Sequence, residues 1–172
     1  MDRDSLWKAV FNEDCLSLGS DHAPHTLQEK LGTPQATPPG MPGVQELLVT
    51  VYTGLRRRST ASTGELLSLV SRLYATNPAD MVGLKQKGRI QQGCDADFVL
   101  FDANANWMMT ANDVASKCGW SAYEGWDLDG RVMKSIRRGK QIYDFATDSF
   151  GSADGEWVKP LTDKTNTAEL AS

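Results

Sequence analysis

Both histidines of this 172-residue chain lie in one run, Ser20-Asp21-His22-Ala23-Pro24-His25-Thr26, together with an aspartate. A carboxylate can ligate a metal ion or carry a proton between reacting atoms, and an imidazole can do either or hydrogen-bond an anion. The run follows the apolar stretch Cys15-Leu16-Ser17-Leu18-Gly19, which reads as a short buried strand. Asp21 then falls at a strand's C-terminal end, where α/β barrels place reactive groups because the βα loops build the site at that face. Spacing alone does not decide the matter. Two histidines three positions apart with one aspartate do not reproduce a helical zinc spacing such as HExxH, and a polar turn would carry the same residues.

The elements that must position this run follow from periodicity. Upstream, Leu6, Trp7, Val10 and Phe11 fall on one helical face, with acidic residues in the first turn where the helix dipole favours them. Downstream, residues 21–43 show no apolar period and hold five prolines and three glycines, which predicts a long ordered loop or lid. Val44, Leu47, Leu48, Val51, Tyr52 and Leu55 then mark an amphipathic helix over 44–58, closed by Arg56-Arg57-Arg58. That triplet reads as cations complementing a helix C-terminus rather than as an anion site. Ser62-Thr63-Gly64-Glu65 is a capping box for a second helix, with Leu66, Leu69, Val70, Leu73 and Tyr74 inward, and Asn77-Pro78 stops it and caps a short turn ending at Gly83. After residue 85 the texture becomes β: "DADFVLFD" is a strand, and "RVMKSIRRGKQIYD" is a hairpin turning at Arg138-Gly139. Trp120, Tyr123 and Trp126 are expected to pack under the strands, and Cys94 and Cys118 to be small buried residues.

Composition narrows the class. A net charge of −4 gives no electrostatic case for nucleic acid or an anionic membrane surface. No apolar run approaches the roughly 18 residues a membrane helix needs. Three scattered cysteines argue against a disulfide framework, and the acidic start "MDRDSLWKAV" does not read as a signal peptide, so a cytoplasmic protein is expected.

Five stretches occur in one order: "SDHAPHT", "PPGMPGVQELL", "NPADMVGL", "KGRIQQGCDADFVLFD" and "SAYEGWDLDGRV". Together they resemble the C-terminal part of dihydroorotase, and more broadly the cyclic amidohydrolases that include allantoinase and hydantoinase, over about residues 2–144. The resemblance implies an α/β chain holding the C-terminal portion of a TIM-like (β/α)8 barrel and part of a small β-sandwich. Residues 1–84 would supply the last barrel elements, 85–144 the partial sandwich, and 145–172 a polar, flexible tail. It further implies zinc, two ions activating water for attack on a cyclic amide such as dihydroorotate. Asp21 matches the aspartate that ligates one metal and manages the proton; His25 matches a substrate-binding histidine, and Pro39 and Gly40 the loop whose backbone closes on the substrate. His25 favours dihydroorotase over allantoinase, and His22 carries no role across. The family's other metal ligands, an HxH pair, a carboxylated lysine and two further histidines, have no counterpart in this chain. They are expected upstream of Met1. The chain is therefore expected to be a truncated piece, one subunit of a split enzyme, or a non-catalytic scaffold. It should also form oligomers or need a partner chain, because its helices carry apolar faces meant for absent strands.

Overall fold

A computed structural model describes residues 2–12 and 17–159. Five α-helices come first: α1 (Asp2–Phe11), α2 (Leu27–Lys30), α3 (Leu47–Arg56), α4 (Thr63–Ser71) and α5 (Asn77–Met81). Four strands follow, β1 (Phe98–Met108), β2 (Asp127–Arg137), β3 (Lys140–Asp144) and β4 (Ser149–Phe150), joined as one antiparallel sheet in that order. No helix among the described residues is long and apolar enough to cross a membrane.

α4 starts where the capping box predicts. Ser62 accepts a hydrogen bond from the Glu65 amide while the Glu65 carboxylate accepts one from the Ser62 amide, so two otherwise unpaired amides are satisfied. The second helix runs beyond the expected stop. After Ser71 the chain widens into a π-helical turn over Arg72–Thr76, and Asn77-Pro78 then opens α5, the short turn expected ahead of Gly83, in continuity with the run. Proline is compatible with that place because a helix's first amides have no intrahelical acceptor.

Tyr52 and Leu55 of α3, Leu66, Leu69 and Val70 of α4, and Leu73 form the larger core, with Trp7, Val10 and Phe11 of α1 against it. Leu6, expected on the same face, is exposed, as is Val44. Trp7 approaches α3 at Gly54, where a Cβ would come 2.1 Å from the indole ring, so only glycine admits this contact. α3 also faces the sheet. Val49 packs with Met109 and Leu128, Tyr52 meets Phe101 edge-on with ring centroids 4.9 Å apart, and Thr53 sits at Asp129. A helix wedged between another helix and a sheet buries more than one stripe, which is why Val49, Thr53 and Gly54 are buried beside the periodic set.

The arginine triplet closing α3 is neither an anion site nor a free cationic end. Arg57 pairs with Asp129 at 2.8 Å, Arg56 donates to the Ala103 carbonyl at 2.5 Å, and Arg58 donates to Gly54 O and lies over Trp7. Two of the three stitch α3 to the sheet.

The barrel strand expected at "CLSLG" does not appear in its described part. Cys15 and Leu16 lie outside the described residues, and Ser17–Ser20 form no strand. A strand exists by its ladder, and here Leu18 N donates to Leu73 O without a ladder forming among the described residues. The sheet, by contrast, is as expected at its hairpin, which turns at Arg138-Gly139 with both residues at positive φ. The region expected as a tail carries structure: Phe145–Thr147 form a short turn, β4 pairs with β3, and Asp154 and Glu156 bind Lys140 and Arg138. Residues 160–172 lie outside the described residues.

Candidate functional site

The histidine-bearing run and the proline-rich loop are laced together. His22 and Met41 form a parallel bridge, and the Ala23 amide donates to Met41 O at 3.0 Å. His22 is spent on this join: its Nδ1 accepts from the amides of Gly43 (3.1 Å) and Val44 (3.3 Å). An Nδ1 acting as acceptor leaves the neutral ring's proton on Nε2. His22 is thus structural at one nitrogen.

Thr26 and Glu29 form a second capping box, which opens α2, and the Thr26 hydroxyl and amide hydrogen bonds hold the Glu29 carboxyl below its ordinary range. α2 carries Lys30, whose Nζ reaches back to Pro38 O at 2.6 Å and Gly40 O at 2.5 Å. The ammonium therefore fixes the carbonyls on either side of Pro39. Gly40 has a φ of 101°, and a Cβ there would lie 2.7 Å from Ala23 Cβ and 2.8 Å from Ala23 O. Both the left-handed backbone and the close approach require glycine.

Gly40 accordingly lies against Ala23 in the 21–25 segment, with Pro39 next to it in the chain. Asp21 is exposed, takes a φ of 44°, and its carboxylate has no hydrogen-bond or ion-pair partner among the described residues. His25 is half-buried, its Nδ1 3.8 Å from Glu29 Oε2, and its carbonyl accepts from Trp120 Nε1 at 2.7 Å. Trp120 thereby ties the loop after β1 to the candidate site across 95 positions, a contact without a local signal in the sequence. Of the other aromatics, Tyr123 packs edge-on against Trp126 at 5.2 Å, and Trp126 is exposed rather than covered. Cys94 and Cys118 are half-buried.

A metal makes harder demands. Among the described residues no three His, Cys, Asp or Glu side chains come together as a metal-holding group. Zinc takes at least three protein ligands even in open catalytic sites. Asp21 offers one, so the described residues do not by themselves fit a zinc ion.

Beside this region a cleft of about 830 Å³ opens between the N-terminal end of α3 and one face of the sheet. Gln45 staples its rim, donating to Asp113 O at 2.5 Å and accepting from the Ala115 amide at 2.9 Å. His22 lines the cleft; Asp21, His25, Pro39 and Gly40 do not.

The fold and the motif order place the chain in a family. Residues 2–142 match the amidohydrolase family, and the chain belongs to it. It is 34% identical over 139 residues to an allantoinase of Escherichia coli, covering 81% of this chain and 30% of that protein. Among solved structures, a D-hydantoinase aligns with a TM-score of 0.80 at 32% identity, covering 92% of this chain and 35% of that one. A dihydropyrimidinase from Brevibacillus agri aligns with a TM-score of 0.71 at 27% identity, over 81% and 30%. The chain thus spans about a third of the length of these relatives.

Proposed function

We propose that this chain is part of a hydrolase of cyclic amides, cleaving a ring C–N bond other than a peptide bond, with Asp21 as its proton-handling carboxylate. The observation that carries the reading is Asp21 itself: a carboxylate at a left-handed backbone position, exposed and unpartnered, next to a loop held against its own segment. A non-glycine residue at positive φ costs free energy, and such positions gather at functional sites. In the proposed reaction Asp21 takes a proton from the attacking water and returns it to the leaving ring nitrogen. His25 hydrogen-bonds the anionic or carbonyl edge of the substrate, and the Pro39-Gly40 backbone, set by Lys30, closes over it. Zinc would supply the activated water, with Asp21 as the one ligand this chain contributes; the remaining ligands would have to come from outside the described residues.

The substrate we propose is a small cyclic amide. Dihydroorotate fits an anion-binding His25, whereas the allantoinase and D-hydantoinase similarity supports a cyclic ureide or imide. A non-catalytic, partner-binding chain is the competing reading, and the lack of a three-ligand cluster among the described residues favours it.

The two readings separate in one experiment. The purified chain, dialysed against buffer, is expected to hold no stoichiometric zinc and to leave dihydroorotate, allantoin and hydantoin intact. Co-expressed with a segment supplying the missing histidines, it should load zinc and open at least one of these rings. Asp21→Ala should then lower kcat by about 10²-fold or more, and His25→Ala should act mainly on KM. A zinc-loaded complex whose turnover ignores Asp21→Ala would refute the assignment.

A further inference from the structure

The cleft beside α3 holds an electrostatic imbalance that the proposed hydrolase chemistry does not use. Its walls are largely apolar and aromatic, including Val49, Val132, Ile142 and Phe150. Its charged lining is three carboxylates, Glu46, Asp113 and Asp148, against a single guanidinium, Arg131. Arg131 is already committed. It donates to Asp113 Oδ1 at 2.6 Å and lies between the rings of Trp107 (3.9 Å) and Phe145 (4.2 Å). Asp148 sits at the solvent edge, where water can serve it.

Glu46 is left over. It is 2% exposed, it immediately precedes α3, and its Oε2 is shut off from solvent without a hydrogen-bond partner among the described residues. The neighbouring Gln45, which could have answered it, spends both ends of its amide on Asp113 and Ala115. A buried carboxylate oxygen without a donor is costly, and a cation that brings N–H groups to it removes that cost. A volume of this size is in the range that holds small organic ligands.

We propose that this cleft binds an organic cation, a primary ammonium or amidinium on an apolar body, with the charged head at Glu46 and the body along the sheet face. The proposal is independent of the hydrolase reading, since none of Asp21, His25, Pro39 and Gly40 lines the cleft.

Calorimetric titration of the full chain with 2-phenylethylammonium, 2-phenylethanol and 3-phenylpropionate tests it. The ammonium should bind saturably at one site, at least about tenfold more tightly than the alcohol, because a charged donor meets the buried carboxylate. The carboxylate probe should not bind. Glu46→Gln should erase the preference for the ammonium over the alcohol. Ser135→Trp, which fills the cleft from β2 with Glu46 in place, should abolish binding of both while the melt stays cooperative. If Glu46→Gln does not fold, the ratio of the two probes on the native chain and the Ser135→Trp result still decide. Equal affinity for ammonium and alcohol, binding that survives Ser135→Trp, or no saturable binding overturns the proposal. So does capture of a lysine-bearing apolar peptide by a chain indifferent to phenylethylammonium, which would make the cleft a polypeptide interface.

Discussion

Among the described residues three non-glycine residues adopt positive φ, and two have local reasons. Arg138 forms the two-residue hairpin with Gly139, and Asp148 closes the short turn after β3. Asp21 has neither excuse. Because its side chain is exposed and has no hydrogen-bond or ion-pair partner among the described residues, Asp21→Asn should change unfolding free energy by no more than about 0.5 kcal/mol, asparagine being well suited to left-handed backbone. The same substitution removes the proposed proton carrier. A thermal melt that matches the native chain, alongside lost turnover in the zinc-loaded complex, is the expected pair of results; a large stability loss would mean Asp21 is a turn residue. Asp21 and His25 could be singled out as candidates because few side chains do this chemistry. Lys30, Gln45 and Glu46 could not, since their meaning depends on which carbonyls, amides or empty spaces lie opposite, and those are set by chain segments far away.

At the level of elements, α3 is the piece on which both halves of the molecule depend. Its periodic residues predicted one apolar stripe, and the burial of Tyr52 and Leu55 agrees. The contact with the sheet was legible only in part, because beside Val49 and Tyr52 it uses a threonine and arginines. Thr53 Oγ1 donates to Val49 O at 2.7 Å and accepts from the Asp129 amide at 2.9 Å. Thr53→Val keeps the shape but leaves that buried amide without an acceptor, so it should destabilise the fold by about 1–3 kcal/mol in chemical denaturation. Were hydrophobicity the main contribution at this position, the valine would be neutral or stabilising. Leu73, fully buried in the helical core, sets the scale for comparison: Leu73→Ala should cost about 2–5 kcal/mol.

Across the whole molecule, an ion pair within the loop ahead of β1 (Lys87–Asp97) and one between the turn after β1 and β2 (Asp113–Arg131) give stability an acid limit. Burial raises the Asp97 carboxyl, but hydrogen bonds from Lys87 and the Arg138 amide outweigh it and hold it below the ordinary carboxylate value. At Asp113 burial is likewise outweighed, by Thr110 and then Arg131. The unfolded chain takes up these protons first, near pH 4, so stability is present above that value and is lost as pH falls through the lower folded-state values. Melting temperature should therefore drop below about pH 4, and Asp97→Asn should flatten that drop. A profile level down to pH 2 would count against these pairs. Exposed apolar side chains make a separate statement: Val99, Leu100, Met108 and Phe150 stand on or beside the sheet, uncovered. Patches of this kind drive association, so light scattering is expected to show mass rising with concentration, and a monomer at all concentrations would refute it.

The sequence by itself determined what depends on near neighbours. Helical periods placed α3 and α4, the Ser62–Glu65 pair marked a helix start, Arg138-Gly139 marked a hairpin, and the order of short motifs pointed to the amidohydrolases. Each of these is a matter of a few adjacent residues, read by local geometry. Only the tertiary structure decided that "CLSLG" lacks a ladder in its described part, that Arg56 and Arg57 of the triplet serve as stitching, and that His22 is consumed by the amides of Gly43 and Val44. It also decided that Glu46 faces a cleft without a partner. A strand, an ion pair and a buried charge are each defined by what lies across from them, and that partner is brought close by the fold, not by position along the chain.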